Sequence, residues 1–488
     1  MSPVTPLPDP DDPSEPSQPP RENVPTQTTL ALGTGIMLQA LNSSMIAVAM
    51  VSIASHFGAG AEVSWVLSAF YIATAIVSPM AGVLGVVFGA RRVYLAGLVL
   101  VLFGSVLGAL APNLGVLVAG RLIIGVGVAM QMPNAMTIIR VLARRHRLRT
   151  GSAISMFTMS AQSMTAVGPS LGGLLVGVAG WQSTLWINVA LVVVSGVWVM
   201  LKVPRIEGEG RPEMGLLRRL DLVGALLFGV AVTVLMLFLI SLTDEIFWWT
   251  LPFIAVFSAV WVWWELRMAS LPFIDLRAVA ANRQLANTLG RTMVTYAAFY
   301  CLFYGLPQWF EQGAGMTVSQ TGAMMLPMAV TAVCSTFVAA RIIAVRGPRV
   351  VLGVAGVFLL LTGLALALIQ DSSTPVWVMA VVAVVAGVPN GFASIGNQGL
   401  INTVTSVEKV GTATGIYKTM QYIAANMSAV IVAVCMSAGS GSGASGASGA
   451  SGASDAGLTL TGWVITALGA VTALGIVFAR KMPARVRA

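Results

Sequence analysis

The chain has 488 residues, of which 57% are hydrophobic and only 9% are charged, and its mean hydropathy is +0.86. Soluble domains carry about 25% charged residues, so this composition excludes an ordinary soluble protein and indicates one that crosses a membrane many times. The chain contains 27 Lys and Arg but only 18 Asp and Glu, which gives a net charge of +9. The basic residues lie in connections between apolar runs, which favours membrane orientation over nucleic-acid binding.

The first 27 residues are rich in proline and acidic residues and contain no apolar run. They predict a disordered tail rather than a secretory signal. Fourteen long apolar segments follow, and each is expected to be a transmembrane helix because lipid cannot satisfy an open backbone. The segments are placed at 28–53, 64–87, 93–111, 114–139, 150–178, 181–201, 221–242, 246–266, 285–308, 318–340, 349–369, 375–404, 410–437 and 458–479. The predicted class is an all-α polytopic membrane protein.

Charged residues divide the connections between these segments into two kinds. Connections after even-numbered segments contain Lys or Arg, such as the five arginines between positions 140 and 149. Connections after odd-numbered segments contain neither, and their acids include Glu62, Asp244, Glu245, Glu311 and Asp371. Basic connections stay on the cytoplasmic side, so both termini are predicted to be cytoplasmic and the protein to reside in the cell membrane.

An internal repeat predicts how the segments are grouped. Gly89-Ala-Arg91 follows segment 2, and Gly347-Pro-Arg349 follows segment 10. Carriers are commonly built from such repeats, with a substrate site at the interface between them. The predicted units are a cytoplasmic tail (1–27), an N-terminal six-helix bundle (28–201), a cytoplasmic loop (202–220), two inserted helices (221–266), a second cytoplasmic loop (267–284), a C-terminal six-helix bundle (285–479) containing a flexible external Gly/Ser/Ala loop (439–457), and a basic cytoplasmic tail (480–488).

Short motifs occur in a fixed order along the first segments. Segment 4 contains Arg121-Leu-Ile-Ile-Gly125-Val-Gly127, segment 5 contains Gly168-Pro-Ser-Leu-Gly172-Gly173, and Trp186-Ile-Asn188 lies in segment 6. From about residue 30 to its end, the chain resembles the fourteen-helix drug/proton antiporter branch of the major facilitator superfamily. The resemblance implies two bundles that rock around a central site. It also implies proton-driven export of hydrophobic or amphipathic organic compounds.

The chain departs from that family pattern at two positions. Where the first helix of the family has Leu-Asp-x-Thr, segment 1 reads Leu41-Asn42-Ser43-Ser44, so an amide replaces a carboxylate. In the loop after segment 2, Val86 stands at the position of the family's Asp. That loop resembles a charged clasp between helices, so this chain is expected to lack the clasp's acidic partner.

Charged groups deep inside the segments are few, and all of them are basic. A proton-coupled carrier usually titrates an acid within its pathway, but no Asp or Glu lies deep in any segment. Coupling through Glu62, Glu311 or His56 is the alternative. Arg121 and Lys418 lie roughly 12 Å into segments 4 and 13. For Lys418 the sequence leaves structural hydrogen bonding and substrate binding open.

Polar side chains share helical faces in several segments, and amides in lipid are costly unless they face protein or water. They are expected to line a cavity or to hydrogen-bond between helices. The predicted substrate pathway comprises Gln39, Asn42, Arg121, Gln131, Asn134, Gln162, Asn390, Asn397, Gln398, Lys418, Gln421 and Tyr422. The predicted conformational motif comprises Gly82, Gly89, Arg91, Gly125, Gly168, Pro169, Gly172 and Gly173. Arg291 is expected to extend toward the cytoplasm, with a ligand role as the alternative.

Other chemistry is not indicated by the sequence. Cys301, Cys334 and Cys435 lie in apolar runs without metal or disulfide spacing, and no P-loop or Ser/His/Asp set occurs. We therefore expect no enzyme activity, catalytic residue, cofactor or metal, and no nucleic-acid partner. The expected partners are the lipid bilayer, a small organic substrate and protons if transport is coupled, and the expected state is a monomer. Two alternatives are an exporter of an anionic metabolite, lipid or antibiotic using Arg121 and Lys418, and a non-transporting sensor or assembly partner.

Overall fold

The structure is a computed structural model that describes residues 23–146, 148, 151–204, 221–241, 246–268, 276–404, 410–440 and 447–478. These residues form long helices joined by short turns. In chain order the helices are α1 (Thr26–Phe57), α2 (Trp65–Phe88), α3 (Ala90–Ala109), α4 (Leu114–Ala129), α5 (Gln131–His146), α6 (Gly151–Ala179), α7 (Ser183–Lys202), α8 (Leu222–Ser241), α9 (Thr250–Arg267), α10 (Leu276–Ala281), α11 (Arg283–Gln312), α12 (Val318–Leu368), α13 (Val376–Val404), α14 (Val410–Ser440) and α15 (Ala447–Phe478). The all-α class predicted from composition is confirmed.

Each predicted segment coincides with a helix or with part of one. Segment 4 is divided at Met130 into α4 and α5, whereas segments 10 and 11 are the two halves of α12. Nine helical runs among the described residues are long and apolar enough to cross a membrane, and three more apolar runs are shorter. The number of crossings stays a prediction.

Two glycines mark the repeat in the backbone itself. Gly89 separates α2 from α3 with φ of 92°, and Gly347 breaks α12 with φ of 77°. Side chains with a Cβ are disfavoured in this region of backbone space, so glycine is the residue that makes each turn readily. The repeated Gly-x-Arg sequence thus makes the same kind of helix break in both halves of the chain.

Several predicted connections differ from the structure or lie outside it. The flexible loop predicted over 439–457 is shortened from both sides, because α14 continues to Ser440 and α15 already begins at Ala447. A helix nucleated by the apolar run that follows extends toward its N-terminus without a second nucleation cost, although each glycine there weakens it. Helix α1 begins at Thr26, inside the predicted tail, and α10 lies inside the loop predicted at 267–284. Residues 1–22, 205–220 and 479–488, which cover most of both predicted tails and the 202–220 loop, lie outside the described residues.

The helices form two bundles, α1–α7 and α11–α15, with α8 and α9 packed against each other beside them. Between the bundles, α6 packs on α12, α2 on α14, and α1 on α11. One end of the molecule contains the junction of α2 and α3 and the break in α12. We call it the basic end. The opposite end, which carries Glu62, Glu311 and Asp371, is the acidic end. The basic end is the predicted cytoplasmic side.

Candidate functional site

A cavity open to solvent lies between the two bundles, and its empty space, the mouth included, is about 630 Å³. Helices α1, α2 and α6 form one wall, and α11, α13 and α14 form the other. Its described lining residues are Ile36, Gln39, Ala40, Ser43, Phe70, Tyr71, Ala161, Thr165, Tyr296, Phe299, Tyr300, Asn390, Ser394, Lys418, Gln421 and Tyr422. The structure therefore brings five residues of the predicted pathway together at one cavity. They are Gln39, Asn390, Lys418, Gln421 and Tyr422.

Lys418 is the one charged group among the described residues that line this cavity. The side chain is half-buried on α14. Its Nζ donates a hydrogen bond to Gln421 Oε1 at 3.0 Å, one helical turn further along, and lies 5.8 Å from the ring centroid of Tyr417. None of the described lining residues is a carboxylate, so the ammonium group has only neutral neighbours in the cavity wall.

Six of the chain's seven tyrosines cluster around the cavity, a feature that the sequence analysis did not identify. This tyrosine cluster comprises Tyr71, Tyr296, Tyr300, Tyr304, Tyr417 and Tyr422, whose neighbouring ring centroids lie 5.6 to 6.2 Å apart. Three of its members recur every fourth residue on α11, and that spacing is the signal by which the sequence could have revealed them. The cluster makes one side of the cavity aromatic but polar at the ring edges.

Two hydrogen bonds of the tyrosine cluster connect the bundles. The hydroxyl oxygens of Tyr71 on α2 and Tyr304 on α11 lie 2.7 Å apart. Gln39 on α1 donates from Nε2 to the hydroxyl of Tyr422 on α14. Tyr71 and Tyr304 lie roughly 9 and 12 Å along their helices from the acidic end, at 1.5 Å per residue. The Tyr71–Tyr304 contact therefore closes the cavity on the side of the acidic end, whereas Gln39 and Tyr422 meet roughly 27 Å from the acidic ends of their helices.

Glycines seal the same end between α6 and α12. A Cβ built on Gly173 would lie 2.6 Å from Cα of Gly322, so the two backbones are in direct contact. The glycines of the predicted motif on α6 therefore lie at two interfaces. Gly173 packs on α12, whereas Gly168 and Gly172 pack on Ser44 and Met45 of α1. Gly322 was not among the predicted residues, since a single glycine in an apolar helix gives no indication of its partner.

Arg121 lies in the interior of the N-terminal bundle rather than on the cavity wall, and only 1% of its surface is exposed. Its Nε donates to the carbonyl of Val66 at 3.0 Å, and its guanidinium carbon lies 4.5 Å from the ring centroid of Phe70. Its other donors reach Asn42, to Oδ1 at 3.5 Å and to the backbone carbonyl at 3.3 Å. Every hydrogen-bond partner of this cation among the described residues is neutral.

Asn42 forms a reciprocal amide pair with Asn188. Each side chain donates from Nδ2 to the Oδ1 of the other, at 3.0 and 2.9 Å. Asn188 also donates to Ser105 Oγ at 3.0 Å, and Asn42 donates to the carbonyl of Leu38 at 2.8 Å. The amide that replaces the family's carboxylate is thus fully used in a buried network that joins α1, α3, α4 and α7.

Apart from Gln162, the pathway residues not yet placed are absent from the described lining of the cavity. Gln131 donates to carbonyls of α3 and α4, and Asn134 donates to the carbonyl of Ala81 on α2. Asn397 is fully buried and accepts a hydrogen bond from Arg291 Nε at 3.4 Å. Gln398 is half-buried, and the side chain of Gln162 lies outside the described set, as does that of Val86.

The remaining residues of the predicted conformational motif lie at contacts between helices or beside the cavity. Arg91 donates from Nη2 to the carbonyl of Met200 at 2.7 Å, which ties α3 to the end of α7. Gly125 lets α4 approach the backbone of α2 at Phe70, whereas Gly82 makes an ordinary contact with Pro133. Pro169 lines a smaller apolar space of about 220 Å³, which continues from the cavity past Thr165 and Asn390.

The three groups considered for proton coupling lie away from the cavity wall. Glu62 and His56 are exposed at the acidic end, and the His56 ring packs against Phe57 and Trp181. Glu311 is half-buried near the same end of α11, and its Oε1 is buried without a hydrogen-bond partner among the described residues. The structure therefore does not bring a titratable acid into the described part of the central cavity.

Comparison with known proteins identifies a family and several relatives of this chain. The profile of the Major Facilitator Superfamily matches residues 32–429. The uncharacterized MFS-type transporter YwoD of Bacillus subtilis is 29% identical over 406 residues, which cover 83% of this chain and 88% of that protein. The multidrug resistance protein Stp of Mycobacterium tuberculosis is 27% identical over 84% of this chain and 76% of its own. The methylenomycin A resistance protein of Streptomyces coelicolor is 26% identical over 77% of this chain and 78% of its own.

Solved structures share the fold at low sequence identity. The nucleoside transporter NupG superposes with a TM-score of 0.63 and 12% identity, covering 93% of this chain and all of the other. A bacterial homologue of the lysosomal transporter Spinster superposes with a TM-score of 0.62 and 12% identity, covering 93% and 97% of the two chains. At these identities the similarity concerns the arrangement of the helices.

Proposed function

The chain belongs to the Major Facilitator Superfamily and is a membrane transporter rather than an enzyme, and from this premise we propose that it exports hydrophobic or amphipathic organic compounds by alternating access. The observation that carries the proposal is the cavity between the two bundles. Its aromatic walls can receive an apolar body, and amides from opposite bundles, Gln39 and Asn390, can orient a polar group.

The contacts around the cavity support a mechanism in which one end is closed at a time. Tyr71–Tyr304 and Gly173–Gly322 join the bundles toward the acidic end, and Gln39–Tyr422 joins them farther from that end. Opening the acidic end requires the first two contacts to separate, while the bundles approach each other at the basic end. The two states of such a carrier stay close in free energy when contacts formed at one end offset those broken at the other.

Resistance proteins among the relatives support efflux as the direction of transport. Stp and the methylenomycin A resistance protein are named for resistance to toxic compounds, and each matches more than three quarters of this chain. Family membership makes a proton gradient the first driving force to test. Among the described residues the cavity offers no carboxylate for a proton, and Glu311 is the half-buried acid nearest in the chain to the tyrosines of α11.

Transport by purified protein in liposomes tests the proposal. A panel of neutral, cationic and anionic aromatic compounds would be loaded, and their movement followed with and without a pH gradient. We expect gradient-dependent movement of at least one class, and loss of it in Gly322→Leu, which cannot seal the acidic end. Absence of movement for every compound would overturn the proposal and favour a sensor or assembly partner. Movement that ignores the pH gradient would overturn proton coupling alone.

A further inference from the structure

We infer that the central cavity is a binding site for an aromatic organic anion, whose carboxylate or sulfonate pairs with the ammonium group of Lys418 while its ring lies against the tyrosine cluster. The inference rests on the proposed function and specifies its substrate class. It is carried by the placement of Lys418 in a cavity wall that is otherwise neutral.

The ammonium group of Lys418 retains hydrogen-bonding capacity toward the cavity. Such a group has three N–H donors and no acceptor. Gln421 Oε1 is its one hydrogen-bond partner among the described residues, at 3.0 Å. Two donors are therefore left for a ligand or for water, and a carboxylate or sulfonate offers acceptors that strengthen such bonds by its charge.

The surroundings of the cavity reinforce its positive potential. The buried guanidinium of Arg121 stacks on Phe70, which itself lines the cavity, and its hydrogen-bond partners among the described residues are carbonyl and amide oxygens. A positive charge that is buried and not balanced by an acid attracts anions into the adjoining space. The replacement of a carboxylate by Asn42 therefore has an electrostatic consequence for the neighbouring cavity.

A second cation lies on α11, on the basic-end side of Tyr296. Arg291 precedes Tyr296 by five residues on α11, which places it roughly 7.5 Å closer to the basic end at 1.5 Å per residue. Its Nε donates to Asn397 Oδ1 at 3.4 Å, whereas its Nη2 is buried without a hydrogen-bond partner in the part of the chain that the structure describes. Arg291 and Lys418 are each roughly 12 Å along their helices from the basic end, so an anion at this depth would be near both cations.

The tyrosine cluster accounts for the aromatic part of the ligand. Its Tyr300 ring is half-buried and lies between Tyr71, Tyr296 and Tyr304. Aromatic rings stack or pack edge to face at centroid distances of about 4.5–7 Å, and the cluster already uses that spacing. An organic cation would also suit these rings, but the ammonium of Lys418 in the same cavity would repel it.

Binding of three matched naphthalenes to the full-length protein in lipid nanodiscs tests the inference. The probes are 1-naphthoate, 1-naphthylmethanol and 1-naphthylmethylammonium, which share one ring system and differ in charge. Because a charge-assisted hydrogen bond typically contributes about tenfold or more in affinity, we expect naphthoate to bind at least about tenfold more tightly than the alcohol. Equal affinity for the three probes, or preference for the ammonium, would overturn the inference.

Variants at Lys418 separate a direct contact from a general effect of charge. We expect Lys418→Gln to remove the preference for naphthoate over the alcohol, and Lys418→Arg to retain the preference. Lys202→Gln makes the same change at an exposed site at the end of α7 and should have no effect. A preference that survives in Lys418→Gln would overturn the role of Lys418.

Binding and transport report on different claims. Charge-selective binding without movement of any compound in liposomes would support the anion site and overturn the carrier. Movement of neutral and cationic compounds together with charge-independent binding would support the carrier and overturn the anion site.

Discussion

The hydroxyl oxygens of Tyr71 and Tyr304 lie 2.7 Å apart, although 233 positions separate the residues in the chain and each belongs to a different bundle. A contact of this kind exists only while the bundles are together at the acidic end. In the proposed alternating-access cycle, its free energy contributes directly to the balance between the state closed at this end and the state open there.

Removing either hydroxyl should favour opening at the acidic end. A net hydrogen bond contributes about 1 kcal/mol, which corresponds to a roughly fivefold change in the ratio of the two states. Tyr71→Phe and Tyr304→Phe should each lengthen the mean distance between spin labels at the exposed positions Ser55 and Gln312, and the double variant should add little. Tyr94→Phe is the matched control, because the Tyr94 hydroxyl donates to the carbonyl of Leu32 within one bundle. An unchanged distance in both single variants would contradict a role of the Tyr71–Tyr304 hydrogen bond in keeping the acidic end closed.

A methyl group at Gly322 should prevent the two bundles from sealing. Its Cβ would lie 2.9 Å from Cα of Gly173, so the helices must separate or strain at a cost of about 1–3 kcal/mol. We expect Gly322→Ala to slow transport and to widen the distance between labels at Ser55 and Gln312. In the same helix, Gly353 has open space around it. Gly353→Ala should therefore leave both measurements near those of the wild type; equal effects of the two changes would exclude the glycine contact as the cause.

Restoring a carboxylate at Asn42 should stabilise the N-terminal bundle. The Asn42→Asp change would place a negative charge beside the buried Arg121, whose present partners among the described residues are neutral. We expect this variant to have a higher temperature of thermal unfolding in detergent. Asn42→Leu should lower that temperature, because losing the amide leaves Arg121 and Asn188 with unmet hydrogen bonds, each costing about 1–3 kcal/mol. A lower unfolding temperature for Asn42→Asp would show that the amide pair contributes more than charge balance.

Asp455 connects three elements at the acidic end of the C-terminal bundle. Its Oδ1 accepts a hydrogen bond from Trp309 Nε1 at 2.9 Å, and its Oδ2 accepts one from the backbone N–H of Ser372 at 3.0 Å. Asp455→Ala leaves the buried indole N–H unsatisfied, so we expect a loss of about 1–3 kcal/mol in stability. Hydrogen exchange at the Ser372 amide should accelerate. Asp371→Ala is the control: it removes the acceptor of the Ser373 amide in the same loop and should leave the indole bond intact.

The sequence around Asn42 predicts the position of this residue but not its hydrogen-bond partner. Its departure from the family pattern is visible in the sequence, and so is its place on a polar face of segment 1. Its partner is not, because Asn188 is 146 positions away on α7 and only packing brings the two amides together. The same holds for Arg121, whose depth follows from counting residues but whose neutral surroundings follow from tertiary contacts.

Sequence periodicity did not distinguish polar residues that line the cavity from those that hydrogen-bond between helices. Gln131 and Asn134 face inward as predicted, yet they hydrogen-bond to neighbouring helices within one bundle. An amide in an apolar helix avoids lipid equally well by facing water or a carbonyl. The spacing of polar residues therefore identifies a helix face without identifying what lies opposite.

The amino-acid sequence alone determined that the chain is helical, where most helices lie, and where glycine breaks them at positions 89 and 347. These properties depend on hydrophobicity and local backbone preference, which neighbouring residues in the chain set. Only the tertiary structure decided that Lys418 faces a shared cavity, that six tyrosines gather around it, and that Gly173 meets Gly322. Such contacts depend on how each helix is rotated and which helix it packs against, and those choices minimise the free energy of the whole assembly rather than of any one segment.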